Sequence, residues 1–185
     1  MGRLILVTGG ARSGKSGFAE QYVAKYGKRI AYIATSQCLD DEMAYRIKLH
    51  RQRRPESWVT FEAPFDAHEA ILKAGQSSDM ILFDCLTLYI SNLLCSFENL
   101  EAMDDIYQQV QKQCQKLLSA IEATAATVVV VTNEVGTGIV PMDRLSREFR
   151  DQAGLANQLL AQAAQQVYLV VAGIPVDIKK LAEKL

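Results

Sequence analysis

Residues 4–26 read LILVTGGARSGKSGFAEQYVAKY: an apolar, β-branched run, a glycine-rich turn, then apolar residues at helical spacing. Gly9, Gly14, Lys15 and Ser16 fit G-x-x-x-x-G-K-[ST], with Gly10, Ala11, Arg12 and Ser13 between the two glycines. The pattern stands where its chemistry needs it, after a strand and before a helix. Glycines there let backbone N–H groups curl round phosphate oxygens, the lysine reaches the β- and γ-phosphates, and the serine hydroxyl holds Mg²⁺. A mere glycine-rich turn needs no such flanks. The stretch is therefore read as a P-loop, a device that serves kinases, switches and motors alike and leaves the reaction open.

Outward from this turn, short apolar runs recur at 30–35 (IAYIAT), 80–84 (MILFD), 127–132 (TVVVVT) and 167–173 (VYLVVAG). Several are apolar on successive residues, the pattern of parallel strands covered on both faces. Between them lie helical spacings. Phe18, Ala19, Tyr22, Val23 and Tyr26 share one face and Gly27 is a stop signal. Ile106, Val110, Leu117, Leu118 and Ile121 line a long amphipathic helix over 103–123, and another is expected over 145–164. Alternating strands and helices give an α/β P-loop fold with a mainly parallel sheet and right-handed crossovers. Ligands are expected beyond the carboxyl ends of the strands. The 185 residues suit one nucleotide-binding domain, 1–185, with no internal repeat or linker. Residues 36–58, polar and crowded with charge, form the expected excursion from the sheet, placed to cap the site.

Composition narrows the partners. Twenty Lys and Arg against twenty-one Asp and Glu give a net charge of −1, no strong field for nucleic acid or an anionic membrane. No apolar run is long enough to span a bilayer, and the opening residues are too short an apolar stretch for a signal peptide. Cys38, Cys85, Cys95 and Cys114 lack C-x-x-C spacing, which argues against a zinc site and for free thiols in a cytoplasmic protein.

Three features carry chemistry. Asp84 ends an apolar strand, where a P-loop protein needs a carboxylate for magnesium; plain solubility also explains a strand ending in Asp. Asn133 and Glu134 stand just past another strand, where loop polarity explains them equally well. In DDEMAYRIKLHRQRRPESW, a helix begun at Asp40 and Asp41 would put Met43, Ile47, His50 and Arg54 on one face. His50 then lies among Arg46, Lys48, Arg51, Arg53 and Arg54, with Gln52 between. Such a cluster binds phosphates, and its like charges favour the neutral imidazole, the form able to attack phosphorus. A solvated basic helix with an incidental histidine is the other reading. His68 lacks these surroundings and reads as a surface or core histidine.

Taken together, ILVTGGARSGKS, YIATSQ with DDEMAYRI, HRQRRPESWVTFE, VVTNEVGTGIVP, and REFRDQAGLANQLLAQAA with VYLVVAGIPVDIK closely resemble the bifunctional adenosylcobinamide kinase/adenosylcobinamide-phosphate guanylyltransferase family. The resemblance runs from residue 5 to about residue 180. It implies an enzyme that phosphorylates the aminopropanol hydroxyl of adenosylcobinamide with ATP or GTP. The same enzyme then transfers GMP from GTP onto that phosphate, releasing pyrophosphate and giving adenosylcobinamide-GDP. Family members guanylylate a histidine directly before R-x-x-R-P, which here is His50. Some relatives carry two adjacent histidines there, whereas Leu49 precedes His50 in this chain. By the same matching, Gly9, Gly10, Ala11, Arg12, Ser13, Gly14, Lys15 and Ser16 line the nucleotide site. So do Ala34, Thr35, Ser36, Arg51, Gln52, Arg53, Arg54, Glu62 and Asp84, with Ser16 and Asp84 on Mg²⁺. The acidic strand end can be Glu in relatives. The family implies a RecA-like sheet and usually a homotrimer. Two rivals remain at this stage: a small-molecule P-loop kinase in which His50 only contacts phosphate, and a nucleotide-operated switch, against which stands the lack of an N-K-x-D motif.

Overall fold

The computed structural model describes residues 2–37, 45, 51, 54–97 and 103–183. Its strands are β1 (Arg3–Thr8), β2 (Ile30–Ala34), β3 (Val59–Glu62), β4 (Met80–Asp84), β5 (Thr127–Val131), β6 (Gln166–Val171) and β7 (Ile174–Asp177). The helices are α1 (Lys15–Tyr26), α2 (Ala67–Gly75), α3 (Leu86–Cys95), α4 (Met103–Ala123) and α5 (Arg144–Ala163). Among the described residues the strands form one seven-stranded sheet in the order β3-β2-β4-β5-β1-β6-β7. All neighbours pair parallel except β6 and β7. The expected α/β architecture is borne out.

Side chains alternating along each strand build two cores, because successive Cβ atoms point to opposite faces. Ile5, Val7, Tyr32, Leu82, Val129 and Val131 pack beneath Ala19 and Val23 of α1. Leu4, Leu6, Ile33, Phe83, Val128 and Val130 pack on the other face with apolar residues of α2, α3, α4 and α5. Each fully buried aliphatic side chain stabilises by about 1.5–3 kcal/mol, so these central strands hold the sheet.

The first helix departs from expectation in one respect. Ala19 and Val23 are buried and Phe18 and Tyr22 pack against Tyr168, but Tyr26 is 59% exposed. It lies one turn beyond the sheet's cover, its ring against Tyr22. Gly27 ends the helix as expected, although for want of space and not for a left-handed turn: its φ is −93°, and a Cβ would stand 2.8 Å from Ile30, Met80 and Val23 O.

β6 and β7 join through Ala172 (φ 51°) and Gly173 (φ 83°), a two-residue turn with both central residues at positive φ, which matches the twist of the paired strands. Pro175 sits on the outer strand, where its missing N–H costs the ladder nothing.

Candidate functional site

Because the parallel strands all end at one edge, β1, β2, β3, β4 and β5 bring their following residues together there. Residues 9–14 leave β1 as a tight loop whose last glycine, Gly14, stands in the left-handed region (φ 95°) and starts α1. Ser13 N donates to Gly10 O at 3.2 Å, and Phe18 N to Gly14 O at 3.0 Å. Gly9 is buried; a Cβ there would lie 2.4 Å from Val170 O and 2.6 Å from Ser13 Oγ. Lys15 is 9% exposed and its Nζ donates to Gly10 O at 3.1 Å, so the ammonium arches back over the loop. Burial lowers its pKa, while Cys85 and then Asp84 act in the opposite sense.

The half-buried carboxylate of Asp84 ends β4, with β5 between it and the loop strand. Tyr32 Oη donates to its Oδ2 at 3.0 Å. Thr35 is fully buried, and its hydroxyl both accepts from Cys85 N and donates to Cys85 O at 2.8 Å. Asn92 Nδ2 donates to Thr35 O at 2.7 Å. The Thr35 side chain is thus occupied in tying the ends of β2 and β4. Of the expected triplet, Ala34 and Thr35 are buried and Ser36 is half-buried.

On the far side, Arg51 donates to Glu62 Oε1 at 2.6 Å, both side chains being exposed. The Arg54 guanidinium lies 3.3 Å from the Tyr32 ring centroid. Tyr45 and Arg51 are helical, but most of the expected helix, with His50, Gln52 and Arg53, lies outside the described residues. His68 is half-buried on α2, its Nδ1 without a partner among the described residues. Cys85 and Cys114 are buried free thiols and Cys95 an exposed one; Cys38 lies outside the described residues.

Among the described residues no three His, Cys, Asp or Glu side chains gather to hold an ion. Mg²⁺ needs only one or two protein oxygens and completes its shell with phosphate and water. The hydroxyl of Ser16 and the carboxylate of Asp84 are hard oxygen donors of that kind.

Several contributors carry no motif. Gly173, at the β6–β7 turn, donates its N–H to Ser13 O at 2.8 Å and so buttresses the loop. Glu134 N donates to Gly9 O at 3.0 Å, and Gly136 N caps the Glu134 carboxylate at 3.0 Å. Asn133 N donates to Thr87 Oγ1 at 2.7 Å, and Asn133 O accepts from Asn157 Nδ2 at 3.0 Å. The signal for Gly173 was the AG pair between two apolar runs. Tyr32, inside a strand, gave none.

Residues 5–178 match the family described as cobinamide kinase / cobinamide phosphate guanyltransferase. The chain is similar to the bifunctional adenosylcobalamin biosynthesis protein CobU of Escherichia coli (strain K12), 48% identical over 181 residues covering 95% of this chain and 99% of that protein. The protein of the same name from Salmonella typhimurium is 47% identical over the same coverage. The bifunctional adenosylcobalamin biosynthesis protein CobP of Pseudomonas aeruginosa is 38% identical over 94% of this chain and 96% of its own. Among the described residues no helix is long and apolar enough to cross a membrane.

Proposed function

From the premise that this chain belongs to the cobinamide kinase / cobinamide phosphate guanyltransferase family, we propose that one nucleotide site at the carboxyl edge of the sheet performs both reactions. The chain is a bifunctional enzyme of cobalamin biosynthesis, a kinase and a guanylyltransferase acting in nucleotide-loop assembly. In the first reaction the aminopropanol hydroxyl of adenosylcobinamide attacks the γ-phosphorus of ATP or GTP. In the second, His50 attacks the α-phosphorus of GTP, the bond to pyrophosphate breaks, and the corrinoid phosphate then displaces the histidine to give adenosylcobinamide-GDP.

The backbone of residues 9–14 and the Lys15 ammonium hold the β- and γ-phosphates, stabilising charge that builds on the transferring group or on departing pyrophosphate. Mg²⁺, held by Ser16, Asp84 and the phosphates, would supply further neutralisation of that charge. By the family resemblance, Arg51, Gln52, Arg53, Arg54, Glu62, Ala34, Thr35 and Ser36 are assigned to the nucleotide, with His50 as the guanylyl acceptor; of these, the described Arg51 and Glu62 are paired and Arg54 stacks on Tyr32. Repulsion from the neighbouring arginines favours the neutral, nucleophilic imidazole. Splitting guanylyl transfer into two displacements frees the corrinoid from sharing the site with pyrophosphate.

The observation that carries the reading is the convergence at one edge of Lys15, Asp84, Arg54 and the pinned loop. The whole chain, 1–185, is proposed to act as one catalytic domain in the cytoplasm, without nucleic acid. A homo-oligomer, a trimer by resemblance, is supported by the near-complete exposure of Ile139 (96%) and Met142 (99%).

The test is incubation with α- or γ-labelled GTP, with and without adenosylcobinamide. Without corrinoid, α-label should appear on protein as a phosphoramidate, lost in acid and surviving alkali. His50→Ala should lose this adduct and the GDP product while γ-label still reaches the corrinoid. An acid-labile GMP adduct persisting in His50→Ala would overturn the assignment.

A further inference from the structure

Tyr32 sits in β2 with a side chain 3% exposed, beneath the edge where the two halves of the site meet. Its two ends do different things. The phenol donates to Asp84 Oδ2 at 3.0 Å, while the ring carries the Arg54 guanidinium at 3.3 Å from its centroid. A donor on one carboxylate oxygen fixes the orientation of the other.

We propose that Tyr32 is a positioning residue joining the two halves of the site: its hydroxyl sets the Asp84 carboxylate for the cation, and its ring seats Arg54 of the basic segment. The inference rests on the reading of Asp84 as a magnesium ligand and of the 50–54 segment as the guanylyl-transfer side. A merely structural tyrosine would do neither job separably. Tyr32→Phe removes the hydroxyl and keeps the ring; Tyr32→Leu removes both.

The first measurement is Mn²⁺ binding, by electron paramagnetic resonance of the free ion, with a non-hydrolysable GTP analogue bound. Groups that orient a metal ligand commonly matter by 10–100-fold, so Tyr32→Phe should raise half-saturating Mn²⁺ about tenfold, with a melting temperature within about 2–4 °C of the parent. Asp84→Asn is the reference. If Asp84→Asn weakens Mn²⁺ binding and Tyr32→Phe does not, the Tyr32 role is overturned while the reading of Asp84 stands. If neither matters, Asp84 is not the ligand and the hydroxyl role falls with it.

The second measurement is α-label transfer to protein at saturating cation. Tyr32→Phe should match the parent, and Tyr32→Leu should be slower by about 2- to 30-fold, the span that loss of a cation–π contact allows. Equal rates in the two variants would overturn the seating role. Should Tyr32→Leu fail to fold, Tyr32→Met, an unbranched side chain that also lacks the ring, takes its place: label transfer slower than in Tyr32→Phe supports the role, and equal transfer overturns it.

Discussion

At residues 9–16 it is the backbone that is pinned. Gly9 O accepts from Glu134 N, Ser13 O accepts from Gly173 N, and a Cβ on Gly9 would collide with Val170 O. At Arg51 and Arg54 the described anchors are side chains instead: an exposed ion pair to Glu62 and a guanidinium stacked on Tyr32. The first kind of tie leaves no slack, since each backbone bond contributes about 0.5–1.5 kcal/mol and the packing admits no extra atom. The second is soft, an exposed pair being worth about 0–1 kcal/mol. The contrast fits the proposed division of work. In that proposal a cradle used by both reactions is built in advance, while Arg51 and Arg54, assigned to guanylyl transfer, are held by softer side-chain contacts, of which the stack on Tyr32 is the firmer.

That contrast is open to attack, beginning where the effect is largest. Lys15→Ala should lower both kinase and guanylyl-transfer turnover by about 10³-fold, the scale of losing a preorganised charge-stabilising donor. Near-normal kinase turnover would break the idea of a shared cradle. Gly9→Ala should destabilise by about 1–3 kcal/mol and weaken nucleotide binding, read by thermal unfolding and calorimetric titration. A neutral result would mean the loop has slack after all.

Thr35→Val tests the floor between the two regions. The substitution leaves the buried Cys85 N–H without its partner, which costs about 1–3 kcal/mol. Denaturant unfolding should show that loss with little change in nucleotide affinity at saturation; a large affinity loss in a stable protein would instead put the Thr35 hydroxyl in the site. The smallest effect is expected from a double-mutant cycle of Arg51→Gln and Glu62→Gln, with a coupling below about 1 kcal/mol. A coupling above about 2 kcal/mol would mean the basic segment is held as firmly as the loop, and the contrast would vanish.

The sequence disclosed β1, β2, β4, β5 and β6 because burial on both faces demands continuous apolar runs. It concealed β3 and β7 for the converse reason. Both are edge strands with mostly exposed side chains, Val59 at 53% and Ile174 at 66%, so no core writes itself into their composition. The helices expected over 103–123 and 145–164 were legible and stand at 103–123 and 144–163, with Ile106, Val110, Leu117 and Ala156 in the core. Tyr26 misled, since helical spacing places a residue on a face without saying how far along the helix the sheet extends.

By itself, then, the chain's order of residues determined the phosphate loop, the strand-end carboxylate, the basic cluster round His50 and the family resemblance. These are local patterns whose chemistry depends on near neighbours. Strand order, with β5 between the loop strand and Asp84, was decided only in three dimensions. So were the buttress of Gly173 on Ser13, the hydrogen bonds by which Thr35 ties the ends of β2 and β4, and the bridge from Asp84 through Tyr32 to Arg54. Such contacts join residues far apart in the chain, and what selects them is competition for one close-packed interior, a condition that no single stretch of sequence contains.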